Sequence, residues 1–360
     1  MFGFREFRRF FTPWLGLWLV LLAPSDGHAQ QDPPEDTQAP QKLEVRRELN
    51  RLLDDQTNGV PSAIKYLDSI LDQFPTDSDL HLLAISLNAS HGVQLVSEDQ
   101  VAAGHVAIRR AESLAIAVAA DPKHLPAAEM MFADVFFHAA QTYATDKNAA
   151  AMYAALDRAC DLGFEGWPAI QEAKPFAELL TEPEFQAYLE KQKSLVPGRV
   201  ALQVRKELDS FQSFEFDFKL TGVAGEPVAK SQWPGKVLVV DVWGTWCPPC
   251  RIGLPHLVAL QEKYGPRGVQ VVGLNSENDA TVADQAERVK AAIKEFQLNY
   301  PCALIDDSLL ETIPNMEGFP TTLLIDATGR VRLKMVGAQS AARLEAAVEI
   351  LLEELQKKQP

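Results

Sequence analysis

The sequence predicts a multi-domain chain: an all-α N-terminal region followed by an α/β domain built on a mixed sheet. From about Lys42 to Leu195, apolar residues recur three and four apart and no strand-like run interrupts them, which is the pattern of helices packed on one another. Beyond Phe211, short runs rich in Val, Leu and Ile alternate with helical patterns, the order of strands and crossover helices in a sheet. With 360 residues and 47% hydrophobic content, the chain can bury two cores of ordinary size.

At the N-terminus, Arg5, Arg8 and Arg9 precede an apolar stretch from Phe10 to Ala23 and a small-x-small site at Gly27-His-Ala29. Residues 1–29 therefore read as an export signal cleaved after Ala29. The apolar stretch is shorter than the roughly 20 residues a membrane span needs, so an uncleaved anchor is the secondary reading. Residues 30–41, polar and Pro-rich, read as a disordered spacer. A formal charge of −15, with no Lys/Arg cluster after the first ten residues, excludes nucleic acid and anionic lipid as partners attracted by charge.

Residues 42–195 carry helical runs at Leu43 to Leu53, Ala63 to Phe74, Leu80 to Leu87, Ala102 to Ala120, Ala127 to Tyr143 and Ala149 to Leu162. Breaks at Phe74-Pro-Thr-Asp77, Ala120-Asp-Pro-Lys123 and Gly163-Phe-Glu-Gly166 separate them. Prolines 75 and 122 each follow what looks like the second helix of a helical hairpin. Their spacing exceeds the regular tetratricopeptide period, so the region resembles a degenerate tetratricopeptide-like array, a platform for a protein partner. An irregular helical bundle is the plainer reading of the same residues. Residues 196–210, with a short helix-like stretch from Val200 to Leu208, read as a linker.

The α/β domain is expected over residues 211–357. Strands are predicted at Phe214 to Leu220, Val237 to Trp243, Val269 to Leu274, Thr321 to Ile325 and Val331 to Val336. Helices are predicted at Pro248 to Tyr264, Ala283 to Phe296 and Ala341 to Leu355, on the faces of the sheet. The last two strands form a hairpin over Asp326-Ala-Thr-Gly329.

Trp243-Gly-Thr-Trp-Cys-Pro-Pro-Cys250 stands where an apolar strand hands over to a helix. A structural zinc would need four ligands, and no second Cys or His pair accompanies these two cysteines. A disulfide across so short a loop constrains little of the unfolded chain, so its use is chemical rather than structural. At a helix N-terminus, Cys247 would have an exposed sulfur and a lowered thiol pKa, with Cys250 as the shielded partner that resolves a mixed disulfide. Pro248 suits the first helical position. Pro248 and Pro249 also remove two N–H donors, leaving those of Cys250 and Arg251, which favours a reducing dithiol nearer thioredoxin (about −270 mV) than DsbA (about −120 mV). Asp241, in the preceding apolar run, is expected beneath the pair, where burial raises its pKa and fits it to accept the proton of Cys250. An edge-strand Asp facing water is the alternative.

Together with Gly318-Phe-Pro-Thr321, these residues resemble the thioredoxin fold, specifically the exported TlpA/ResA-type thiol-disulfide oxidoreductases. The resemblance covers about residues 211 to 357 and includes the block from Gly235 to Cys250 and Phe319-Pro-Thr-Thr-Leu-Leu-Ile-Asp326. It implies a cis Pro320 facing the cysteines, a Phe319 backbone open to an extended substrate, and Trp246 beside Cys247 on the docking surface. It also implies disulfide-containing client proteins, a membrane-embedded thiol carrier as electron donor, and no cofactor. Family members commonly carry a glutamate three residues after the second cysteine; here Gly253 stands in that place, and Asp241 occupies the position where thioredoxin keeps its buried acid.

His256 reads as a surface or packing residue, Arg251 as a solvated charge, Cys302 as a small buried residue of a strand and Cys160 as a helix residue. A bridge between the last two has no geometric support in the sequence. Asn88-Ala-Ser90 fits a glycosylation sequon. A peroxiredoxin would need a Pro and a Thr at set spacings before Cys247, and they are missing. A non-enzymatic reading is a helical interaction module carrying the α/β domain as a passive scaffold; the intact cysteine pair argues against it.

Overall fold

The computed structural model describes residues 39–55, 57–75, 77–119, 128–277, 281–316 and 318–357. The expected signal, residues 30–38 of the spacer and the break at residues 120–123 lie outside them. In the first half, a helix forms at each apolar run, α3 continuing well past its expected end at Leu87: α1 (Ala39–Leu53), α2 (Gly59–Ile70), α3 (Ser78–Ser97), α4 (Val101–Ala119), α5 (Glu129–Thr145) and α6 (Ala149–Asp161). Local capping fixes their starts, as the Asp77 carboxylate accepts from Leu80 N at the head of α3 and the Asn148 side chain from Ala151 N at the head of α6.

Helices α3 and α4 pack closely because Gly92 and Gly104 face each other. A Cβ on Gly92 would lie 2.8 Å from the Gly104 carbonyl oxygen, and one on Gly104 would lie 2.6 Å from that of Gly92. Asn88, in α3, is buried and donates to the Ala84 carbonyl, so the sequon does not present a glycosylation site.

The described chain forms two compact units. One takes residues up to Ala119 with His138–Tyr143, and the other takes Ala128–Phe137 with Ala144–Lys357. The second unit thus holds the sheet together with α6, α7 (Trp167–Glu172) and the 28-residue α8 (Pro183–Ser210). Residues 196–210, read from the sequence as a linker, are the second half of α8. Pro197 sits inside that helix and forfeits a backbone hydrogen bond, at a cost of about 3 kcal/mol. Against this, Val196, Val200, Val204 and Leu208 form a buried stripe in the core shared with the sheet, each contributing about 1.5–3 kcal/mol. The stripe outweighs the proline, and the helix continues.

The main sheet has six strands in the order β1 (Phe214–Glu215), β8 (Arg330–Val336), β7 (Thr321–Ile325), β4 (Val237–Trp243), β5 (Val269–Asn275) and β6 (Cys302–Leu304). β4, β5 and β6 run parallel, and β7, β8 and β1 are added antiparallel. A separate hairpin pairs β2 (Lys219–Thr221) with β3 (Pro227–Ala229). The strand expected over Phe214 to Leu220 is therefore two strands in two sheets. Asp217, between them, accepts from Phe218 N, a local hydrogen bond that competes with ladder pairing.

α9 (Pro248–Tyr264) joins β4 to β5, and α10 (Val282–Phe296) leads from β5 to β6. Both crossovers advance in the same direction across the sheet, and right-handed connection sends both helices to one face. Val237, Val239 and Trp243 of β4 point to that face and share a core with α8, α9, α10 and α12 (Ala341–Lys357). Leu238, Val240 and Val242 point to the other face, which is covered by Phe216, Phe218, Val228 and the segment around α11 (Asp307–Leu310). Long helices thus cover one face rather than both. Among the described residues no helix is long and apolar enough to cross a membrane.

Arg343, on α12, ties α5 and α8 to this unit. Its guanidinium lies 3.0 Å from the Glu129 carboxylate and 2.8 Å from that of Glu207, with the arginine side chain 4% exposed. Removing one member of such a buried ion group leaves uncompensated charge. Arg343→Ala should lower the unfolding free energy by about 3–5 kcal/mol, read from the urea midpoint at unchanged slope; a loss under about 1 kcal/mol would mean the two carboxylates are solvated instead.

Candidate active site

Strand β4 is buried along its whole length, so its C-terminal end delivers the chain to the edge of the core. There Cys247, with extended backbone, becomes the N-cap of α9, and Pro248 and Pro249 occupy the first helical positions. Cys247 and Cys250 are joined in a disulfide with an S–S distance of 2.06 Å. The Cys250 amide donates to Cys247 Sγ at 3.3 Å. The Arg251 amide, expected to be a second donor to sulfur, is spent on the Cys247 carbonyl oxygen at 3.2 Å.

The sequence placed the Cys247 sulfur at the surface. In the fold Cys247 is 2% exposed. Both cysteines belong to the core on that face of the sheet; Trp246 and Phe319 pack against the same core, and their rings meet edge to face with centroids 5.2 Å apart. The Phe319–Pro320 peptide is cis. The Pro320 carbonyl oxygen accepts from Gly337 N at 2.7 Å, and Thr321 Oγ1 donates to the Gly318 carbonyl oxygen. Among the described residues, neither the N–H nor the C=O of Phe319 takes part in a backbone hydrogen bond.

Asp241 lies on a central strand, flanked by β5 and β7, and is 3% exposed. The alternative of a water-facing edge carboxylate is excluded. Alternation along β4 puts it on the same face as Trp243, the face that carries the cysteines. Burial pushes its pKa up to about 7, opposed by a hydrogen bond from Thr322 Oγ1 to Asp241 Oδ1 at 3.0 Å. Register sets Thr322, Asp241, Gly273 and Cys302 side by side across β7, β4, β5 and β6. Gly273 is required in that row. A Cβ there would lie 2.9 Å from Cys302 Sγ and 3.0 Å from Trp243 Nε1.

Cys302 and Cys160 are both buried and free, and desolvation pushes each thiol up to about 12. His256 is half-buried and its Nδ1 lies 3.1 Å from the Gln339 carbonyl oxygen. Arg251 pairs with Glu295 at 2.7 Å and stacks on Phe296. At Gly253 an added Cβ would meet nothing within 4 Å. Among the described residues, no group of three or more His, Cys, Asp or Glu is arranged to hold a metal ion.

Three residues bonded to Asp241 or to the loop before Cys247 carry no signal of that role in the sequence read residue by residue. Thr322, partner of Asp241, lies in the Pro-Thr-Thr stretch and would have followed from alternation along β7. Ser276 and Glu277 follow the end of β5. Parallel pairing of β4 with β5 brings the loops at their carboxyl ends together, the usual place for ligands in such sheets. The Ser276 carbonyl oxygen accepts from Trp246 Nε1 at 2.9 Å, and both Glu277 carboxylate oxygens accept from Thr245.

Burial of Asp241 has a pH signature. Below about pH 4 the carboxyl is protonated both folded and unfolded, and its burial carries no ionisation cost. Between about 4 and 7 the unfolded chain releases the proton while the folded chain keeps it, so stability falls as pH rises; above about 7 the loss is complete. Asp241→Asn should therefore exceed wild type by as much as roughly 4 kcal/mol at pH 8 and by little at pH 4. Urea unfolding of the oxidised proteins at the two pH values measures this, and an equal difference at both would contradict it.

A family profile described as Redoxin matches residues 206–349, a range that holds Asp241, both cysteines and Pro320. A thiol-disulfide oxidoreductase ResA of Bacillus cereus is 31% identical over 130 residues, covering 36% of this chain and 71% of the relative. The thioredoxin-like protein YneN of Bacillus subtilis is 30% identical over 135 residues, covering 37% of this chain and 76% of the relative. Among solved structures, a thiol:disulfide interchange protein of the thioredoxin family from Chlorobium tepidum is 30% identical, covers 40% of this chain and 99% of its own, and superposes with a TM-score of 0.36.

Proposed function

The chain belongs to the ResA family of thiol-disulfide oxidoreductases, and we propose that it reduces disulfides of client proteins outside the cytoplasm through the Cys247–Cys250 pair. The observation that carries this reading is the disulfide at the strand-to-helix junction, lying on the same side of the sheet as a buried carboxyl of raised pKa. In the reduced protein the Cys247 thiolate attacks one sulfur of the client disulfide. A mixed disulfide forms and one client thiolate leaves, taking a proton from water. Asp241, ionised, accepts the Cys250 proton. The Cys250 thiolate then displaces the second client sulfur from Cys247, closing the internal disulfide, and two electrons have passed to the client.

In this reading Trp246, Phe319 and the cis Pro320 form the client-docking surface beside the pair, supported by the ring contact between Trp246 and Phe319 and by the Phe319 backbone groups, which make no backbone hydrogen bond among the described residues and suit an extended client segment. A dithiol donor must restore the pair, and a membrane-embedded thiol carrier fills that role in the proposal. The tetratricopeptide-like helical region would recruit a protein partner. Export rests on the basic and apolar pattern of residues 1–29, whether cleaved or kept as an anchor.

An insulin-reduction assay tests the chemistry. Wild type should turn over with a dithiol donor, and Cys247→Ser should fall to the uncatalysed rate; a variant as active as wild type would leave the α/β domain a scaffold. Cys250→Ser should accumulate a mixed disulfide on Cys247, seen as a mass increase that reductant removes, and the attached protein identifies the client.

A further inference from the structure

The loop that carries Trp246 and Cys247 is fastened at one place to the segment after β5. Ser276 N donates to the Trp243 carbonyl oxygen at 2.8 Å, and Trp246 Nε1 donates to the Ser276 carbonyl oxygen at 2.9 Å. Gly244 leaves the indole room for that crossing, since a Cβ there would lie 2.5 Å from Trp246 Nε1 and 3.0 Å from the Ser276 carbonyl oxygen. Between these contacts Thr245 has both its polar handles taken by one side chain. Its amide donates to Glu277 Oε1 and its hydroxyl to Glu277 Oε2, each at 2.7 Å. Such two-point, charge-assisted bonding fixes direction as well as distance. Glu277 is itself tied to α10, where Gln285 Nε2 donates to its carbonyl oxygen at 3.3 Å.

We propose that Glu277 is a positioning residue for client docking: by clamping Thr245 it sets the angle at which the Trp246 indole meets Phe319 beside the cysteine pair. The proposal rests on reading Trp246 and Phe319 as the docking surface. Without the clamp the Thr245 amide loses its partner, the turn between β4 and α9 gains freedom, and the indole keeps only the Ser276 carbonyl and its packing on Phe319 and the core. The Cys247 amide donates to the Gly244 carbonyl oxygen at 3.2 Å and Cys250 lies within α9, and neither contact involves Glu277. Loss of the clamp should therefore weaken client engagement more than the sulfur chemistry.

Steady-state insulin reduction by the full chain provides the test. Glu277→Ala should raise KM about tenfold or more while kcat stays within about threefold, since a small misplacement of a docking group acts on encounter geometry. Glu277→Gln keeps a carbonyl oxygen for the Thr245 amide and an amide donor for its hydroxyl, and should lie within about threefold of wild type in KM. Thr245→Val keeps the amide contact and drops the hydroxyl one, and should fall between the two. An unchanged KM in Glu277→Ala would overturn the proposal. So would a Gln variant as impaired as the Ala variant, because that would make the charge rather than the clamp the active feature. Should Glu277→Ala not fold, the Gln and Val variants decide alone. Failure of wild type to reduce insulin in a Cys247-dependent way would strike the functional reading instead, and is visible before any variant is made.

Discussion

The arrangement depends on a carboxyl group shut inside a central β-strand. Asp241 has β5 on one side and β7 on the other, so neither strand edge offers it water, and its observed partner is the Thr322 hydroxyl. A carboxylate in such a place is expensive, and the proton stays on until near neutrality. Much of the surrounding sequence follows from that constraint. Position 273 must be Gly so that Trp243 and Cys302 can close over the row; β7 must offer a hydroxyl; and β4 must be apolar on both faces to hold the row rigid. Stability is given up at this point for a carboxyl whose pKa is pushed up to about 7, a trade characteristic of redox and acid–base centres.

The second constraint concerns α8. A proline in mid-sequence reads as a break, yet the four-residue spacing of Val196, Val200, Val204 and Leu208 carries the helix past it. The same helix supplies Glu207 to the buried Arg343, which also pairs with Glu129 of α5. The Arg343 guanidinium bonds the Gln339 side chain, and the Gln339 carbonyl oxygen faces His256 on the helix that begins at the cysteines. Helical residues before the sheet are in this way part of the unit that holds the cysteine pair, which explains why the cut between helical region and α/β domain does not fall at the proline.

Most of the sheet was legible because its signals are local. Val237 to Trp243 is apolar at every position but Asp241, as a strand covered on both faces must largely be, and Pro248 marks the start of α9. Thr321 to Ile325 and the turn at Gly329, which adopts a positive φ, were equally plain. Short elements were not: Pro227–Ala229 is three residues with a proline at its head, and Phe214 to Leu220 splits at Asp217. Around the cysteines, what escaped was whatever depends on distant chain. Phe319 packs from β7's side onto the core that contains Cys247, and Glu277 reaches Thr245 only because two parallel strands end side by side. The identity of the residues was visible, but not who would stand next to whom.

The two unbridged thiols also bear on how this protein can be interrogated. Cys160 and Cys302 are buried in apolar surroundings that hold them in the neutral, unreactive form far above physiological pH. Burial alone does not set them apart from Cys247 and Cys250, which are 2% and 1% exposed; what distinguishes them is that they stay outside the disulfide. Labelling after denaturation therefore counts two thiols in the oxidised chain and four in the reduced one, and the count per molecule reports the state of the pair.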